Sequence, residues 1–161
     1  SAMNARDEEV MTEQIYRCAD LHMKHISGGD PFELGSARPL DFGHWAAHKL
    51  EYLSDFKIRH GEAVAIGIAL DCVYSHLIGS ISLRDCERIL AVIKGLGFEL
   101  YHPALASTNC QNLYKGLQEF QEHLGGHLTI TLLKALGNGE EVHEMDFPTI
   151  QASVALLAKY A

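Results

Sequence analysis

His44, His48 and His60 carry the chain's clearest chemical pattern. The first two lie four apart in the run Asp41-Phe42-Gly43-His44-Trp45-Ala46-Ala47-His48-Lys49-Leu50-Glu51, and the third opens His60-Gly61-Glu62-Ala63-Val64-Ala65-Ile66-Gly67. A neutral imidazole nitrogen is a good ligand for zinc or a similar divalent ion, and an α-helix brings residues four apart onto one face. Glu51 follows on the next turn of that stripe, while Phe42, Trp45, Ala46, Leu50 and Leu53 supply apolar surface for the other sides. A bare H-x-x-x-H pair is more often two ordinary interfacial histidines than a ligand pair, so the second block matters. From Ala63 to Leu70 it runs without a charge, which describes a helix buried nearly all round with its polar residues in the first turn. His60 then sits at the mouth of a buried helix, where a ligand is well held. Glu62 beside it suits two roles: hydrogen-bonding a ligand ring, or placing a negative charge at the positive end of the helix.

The elements that must position these residues are helical. Met11, Ile15, Cys18, Ala19 and Ile26 recur at helical spacing and predict an amphipathic helix over roughly residues 8–27, ended by Gly28-Gly29. Gly-Gly, Asp-Pro and Arg-Pro pairs between Gly28 and Pro39 predict an irregular loop leading to the His44 helix and able to present Arg38 to a site. Ser82 with Asp85 marks a further helix start, with an apolar stripe running to Gly95; another helix is expected over Gln111 to His123. His127 to Leu133 reads as a strand paired through Asn138-Gly139 with Glu141 to Met145, and Pro148 to Tyr160 as a last helix. The expected fold is therefore mainly α, five or six helices with one small β-hairpin near the C-terminus.

At 161 residues and 47% apolar composition, the chain suits one domain, 1–161, with a real core. Its formal charge of −8 excludes unaided binding to nucleic acid or anionic membranes, because scattered basic residues cannot replace phosphate counterions. The longest apolar stretch, near Ala63 to Gly79, is interrupted by Asp71, Ser75 and His76 and so predicts a core helix, not a membrane span. Cys18, Cys72, Cys86 and Cys110 form no C-x-x-C pair; reduced, buried thiols and a cytoplasmic setting are expected. No signal-peptide pattern opens the chain. The other seven of the ten histidines form no comparable motif and read as structural or exposed.

The two blocks resemble the C-terminal domain of the 3-dehydroquinate synthase-like sugar phosphate cyclases. That family's loose pattern, N-x-G-H-x-x-G-H-A-I-E followed at a fixed distance by H-G-E-A-V-A-x-G-M, stands here as DFGHWAAHKLE and HGEAVAIGI. The resemblance implies that His44 and His60 are metal ligands for a divalent ion, zinc or cobalt, and that His48 is a catalytic residue that contacts substrate and moves protons. It implies NAD as cofactor, held mainly by an N-terminal NAD-binding domain of the same protein that lies outside this chain. No G-x-G-x-x-G turn follows a strand here, so these residues supply no cofactor-binding set of their own. A third metal ligand, a glutamate on an earlier helix, would precede residue 1, leaving the isolated domain weak or empty in metal. The implied reaction converts a sugar phosphate by transient oxidation, loss of phosphate and ring closure to a carbocycle. A homodimer is compatible with the resemblance.

Departures from the pattern bear on the substrate. Asp41 stands for the family's asparagine, putting a carboxylate where a neutral amide is expected among substrate contacts. Arg38 lies one position out of register with a substrate-binding arginine. Gln118-Glu119-Phe120-Gln121-Glu122 replaces a lysine-bearing stretch, removing a cation expected to meet the substrate. Ala47 stands for a glycine. Together these weigh against dehydroquinate as the product. Two other readings remain open: the helical half of an iron-dependent alcohol dehydrogenase-like enzyme, and a non-enzymatic helical interaction module retaining an unused site.

Overall fold

Helix α3, His60–Leu77, is the centre of the molecule, because its middle is largely apolar and the polar side chains buried there, Asp71 and Ser75, are hydrogen-bonded within the protein. Eleven of its residues, from Ala63 to Ser75, are buried, as the uncharged run predicts. In the computed structural model, which describes residues 2–27, 39–123 and 125–161, the surrounding elements are α1 (Glu8–Ser27), a 3-10 turn (Pro39–Asp41), α2 (His44–Leu53), α4 (Leu83–Gly95), a second 3-10 turn (Pro103–Ala106), α5 (Gln111–His123), β1 (Ile130–Ala135), β2 (Asn138–Val142) and α6 (Phe147–Leu157). Helices α2, α4 and α6 and strand β1 all pack on α3, and α5 packs on α2. The six helices and single hairpin are the architecture expected from the sequence.

The helix starts are chemically marked. Ser82 Oγ accepts from the Asp85 backbone N–H at 3.1 Å, and Asp146 from that of Thr149 at 2.8 Å, so each satisfies an amide that the helix itself leaves unpaired. The Asp146 N–H in turn donates to the Tyr74 hydroxyl at 2.8 Å, which ties the start of α6 to α3. The core joins Trp45 and Leu50 of α2, Leu70 and Val73 of α3, Leu90 of α4, Leu113 of α5, Leu132 of β1 and Ile150 and Leu157 of α6.

Three sequence expectations need correction. The hairpin turns at Leu136-Gly137, with Ala135 opposite Asn138, so Asn138-Gly139 lies inside β2 and not at the turn. Gly137, at φ +74°, supplies the left-handed residue that the turn requires. Helix α1 forms over the expected span, yet none of its residues is buried, and Ile15, Tyr16, Leu21 and Met23 are exposed. Its spacing specified a helix without specifying a core position. Cys18 on that helix is accordingly exposed, whereas Cys72, Cys86 and Cys110 are buried; all four are free thiols. Burial pushes the Cys86 thiol up to about 11, away from thiolate chemistry. Among the described residues, no helix is long and apolar enough to cross a membrane.

Candidate functional site

The two histidine blocks meet because α2 and α3 bring their first residues together: His44 begins α2 and His60 begins α3. The ring centres of His44 and His60 are 5.4 Å apart, and that of His48 lies 5.7 Å from each. Imidazoles sharing one tetrahedral zinc at bond lengths of about 2.0–2.1 Å have ring centres roughly 5 Å apart, so this triangle is close to a liganding arrangement.

Each ring faces an acceptor on its Nδ1 side. Glu51 Oε2 lies 3.3 Å from Nδ1 of both His48 and His60, and the Phe42 carbonyl lies 3.3 Å from Nδ1 of His44. A proton on each Nδ1 leaves each Nε2 lone pair available, the second-sphere arrangement that orients metal-binding histidines. His48 and His60 side chains are 58% and 52% exposed while Glu51 is only 16% exposed, so the rings open to solvent above a carboxylate held beneath them. One ligand atom each from His48, Glu51 and His60 fall within 4.8 Å of one another, a grouping that occurs once among the described residues. The donor set of imidazoles and a carboxylate is one that zinc or another borderline divalent ion takes.

Backbone contact sets the position of His44. Gly43, at φ +82°, ends the approach to α2 against α3, where a Cβ on Gly67 would come within 2.0 Å of the Gly43 carbonyl oxygen. Only a bare helix face allows that approach. Asp71, one turn along α3, is fully buried and accepts from the Gly43 N–H at 3.0 Å and from Trp45 Nε1 at 2.8 Å. Its own carbonyl accepts from Ser75 Oγ at 2.7 Å, and Ser75 Oγ accepts from the Leu133 N–H at 3.2 Å, so a polar thread runs from the hairpin to the start of α2. No buried side-chain nitrogen or oxygen among the described residues lacks a partner.

Burial pushes the Asp71 carboxyl up to about 7, against the downward pull of Trp45 and Gly43. Because the folded value lies above the unfolded one, Asp71 contributes stability that is complete below about pH 4 and lost as pH rises through about 7. Urea unfolding of wild type and Asp71→Asn across that interval should show the wild type losing roughly 2–4 kcal/mol relative to the variant. A constant difference would place the carboxyl at its ordinary value.

The structure thus brings His44, His48 and His60 together. Asp41 lies half-buried in the 3-10 turn three residues before His44, and Arg38 falls outside the described residues. Glu62 takes the helix-start role of the two considered: it accepts from the Arg59 N–H at 3.0 Å and pairs with the Arg59 guanidinium, which holds its carboxyl below the ordinary value. Sequence reasoning placed Glu51 on the histidine stripe but not in the site. Its spacing of three from His48 was the available signal; its contact with His60 was not legible. Asp71 was visible only as a lone carboxylate in an apolar run.

A profile of the 3-dehydroquinate synthase C-terminal family matches residues 1–121. The chain belongs to that family. Across 96% of its length the chain is 26% identical to a 3-dehydroquinate synthase of Xylella fastidiosa strain M12, of which it covers 42%. It is 30% identical over 93% of its length to the 3-dehydroquinate synthase of Acinetobacter baylyi, covering 41% of that protein. Among solved structures, 2-epi-5-epi-valiolone synthase from Streptomyces hygroscopicus subsp. jinggangensis 5008, with NAD+ and Zn2+ bound, superposes with a TM-score of 0.82 at 25% identity, over 92% of this chain and 40% of that one. The domain therefore spans about two fifths of the length of the relatives it matches.

Proposed function

We propose that this domain is the metal- and substrate-binding half of a sugar phosphate cyclase that eliminates phosphate and closes a carbocycle. The observation that supports the reading is the convergence of three imidazoles from two helices, two of them, His48 and His60, sharing the carboxylate of Glu51. In this proposal His44 and His60 hold the divalent ion, zinc or cobalt, through Nε2, and Glu51 orients His60 from behind. A bound ion supplies Lewis acidity that stabilises negative charge developing on substrate oxygens. His48, exposed and anchored at Nδ1 by Glu51, takes or delivers a proton at Nε2. Asp41 and Arg38 are assigned to the substrate, as neighbours of His44 in the chain.

NAD finds no nucleotide-binding unit among the described residues: their strands form one antiparallel hairpin, not the parallel β-α-β unit whose glycine-rich turn seats a pyrophosphate. The proposal therefore gives NAD to an N-terminal domain of the whole protein, which would form the other wall of the site. Cytoplasmic location is part of the same reading.

The test follows phosphate and NADH together in the full-length protein supplied with zinc, NAD and sugar phosphates. A cyclase should release phosphate with no net NADH, since its oxidation is reversed within the cycle. Net NADH without phosphate release would assign the protein to a dehydrogenase instead.

A further inference from the structure

A cavity of about 420 Å³ opens beside His48 between α2 and α5, lined by Trp45, His48, Lys49, Tyr52, Glu119 and Phe120. Its charged floor is built from both helices. A Cβ on Gly116 of α5 would meet the Lys49 stem at 2.5–2.9 Å, so this glycine leaves room for the lysine to cross the helix. Lys49, only 9% exposed, thereby reaches Glu119, its Nζ lying 2.8 Å from both carboxylate oxygens. The same ammonium sits 5.2 Å from the centre of the Tyr52 ring. The cavity thus contains a cation whose charge is already matched, while Glu119 stays 62% exposed at the rim.

That pairing decides what the cavity can accept. An incoming carboxylate would have to compete with Glu119 for Lys49 or lie against a like charge, and either is unfavourable. A hydroxyl meets no such conflict: it can donate to a Glu119 oxygen and accept the remaining ammonium proton. The aromatic walls suit the C–H faces of a carbon chain. The named relatives fall on both sides of this choice, since 3-dehydroquinate is a carboxylate and 2-epi-5-epi-valiolone a neutral polyol ketone.

We propose that the Lys49–Glu119 cavity seats the unphosphorylated end of the substrate and selects a neutral ketose phosphate, ending in a hydroxymethyl group, over the corresponding α-oxo acid phosphate. The inference rests on the cyclase reading above and deepens it. Lys49 and Glu119 act in it as specificity determinants, facing the substrate beside the catalytic residue His48.

The experiment measures phosphate release from both substrates by the full-length enzyme loaded with zinc and NAD. The ketose phosphate is expected to be favoured in kcat/KM by about 100-fold, the discrimination a site gains when the wrong ligand leaves a buried polar group mispaired. Glu119→Gln frees the Lys49 ammonium and should move the ratio about tenfold toward the oxo acid, whereas Lys49→Met leaves Glu119 unopposed and should move it the other way. A wild-type preference for the oxo acid, or ratios unchanged in both variants, overturns the inference while leaving the cyclase assignment standing. Phosphate release from neither substrate by zinc-replete wild type removes the assignment and the inference with it.

Discussion

Alanine at His44 or at His60 is expected to abolish stoichiometric zinc in the full-length protein, with activity lost in parallel. The two rings come from different helices and stand 5.4 Å apart, so each variant removes one of the two proposed ligands and one helix's share of the grip on the ion. Losing a residue that merely orients a ligand costs about 10–100-fold in metal affinity, and losing the ligand must cost more. Glu51→Gln belongs to the milder class, since an amide still accepts from the rings without the carboxylate's charge. His48→Ala separates chemistry from metal retention: zinc should stay while kcat falls by about 10²–10⁴-fold, the span of a lost general acid or base. Elemental analysis after dialysis against a weak chelator reads all four variants. Full zinc in both the His44 and His60 variants would refute the assignment of the metal ligands.

Gly67→Ala is expected to damage stability and site together. The added methyl meets the backbone of Gly43, 2.0 Å from its carbonyl oxygen and 2.9 Å from its carbonyl carbon, and neither can rotate aside. Overpacking costs about 1–3 kcal/mol, and a backbone obstacle belongs at the upper end. Alanine recovers up to about 1 kcal/mol through its better helix propensity, leaving a net loss of roughly 2 kcal/mol. Because α3 must withdraw from the start of α2, His44 also moves from His60, and zinc affinity should fall although no ligand has changed. Gly61→Ala is the internal control: a Cβ there meets nothing within 4 Å, so it should leave stability equal or raised by up to about 1 kcal/mol. Urea unfolding and zinc titration of the two variants make the comparison. Equal stabilities would mean that the close approach of α2 to α3 is not constrained at Gly67.

The helices α3 and α4 show what a one-dimensional pattern carries. An uncharged run from Ala63 to Leu70 can lose water on every side only inside the core, and Ser82 with Asp85 closes a helix start by a bond made within three residues. Both are local statements, and both hold. Helix α1 marks the limit of such reasoning, since an apolar stripe shows that a helix can be covered, not that the chain at hand covers it. The hairpin turn marks another: Asn138-Gly139 and Leu136-Gly137 each offer a glycine within reach, and the pairing of Ala135 with Asn138 selects the second.

By itself the sequence singled out His44, His48 and His60 as the candidate site, because helical spacing and an apolar flank already restrict where they can face. It also determined the mainly helical fold, since periodicity and caps are short-range. Only the tertiary structure decided that Glu51 would serve two rings at once, that Asp71 would hold the start of α2, and that Lys49 would cross Gly116 to meet Glu119. Those contacts span up to 70 residues, and their partners are chosen by which backbones can approach closely enough to touch. That choice depends on packing in three dimensions and leaves no periodic trace along the chain.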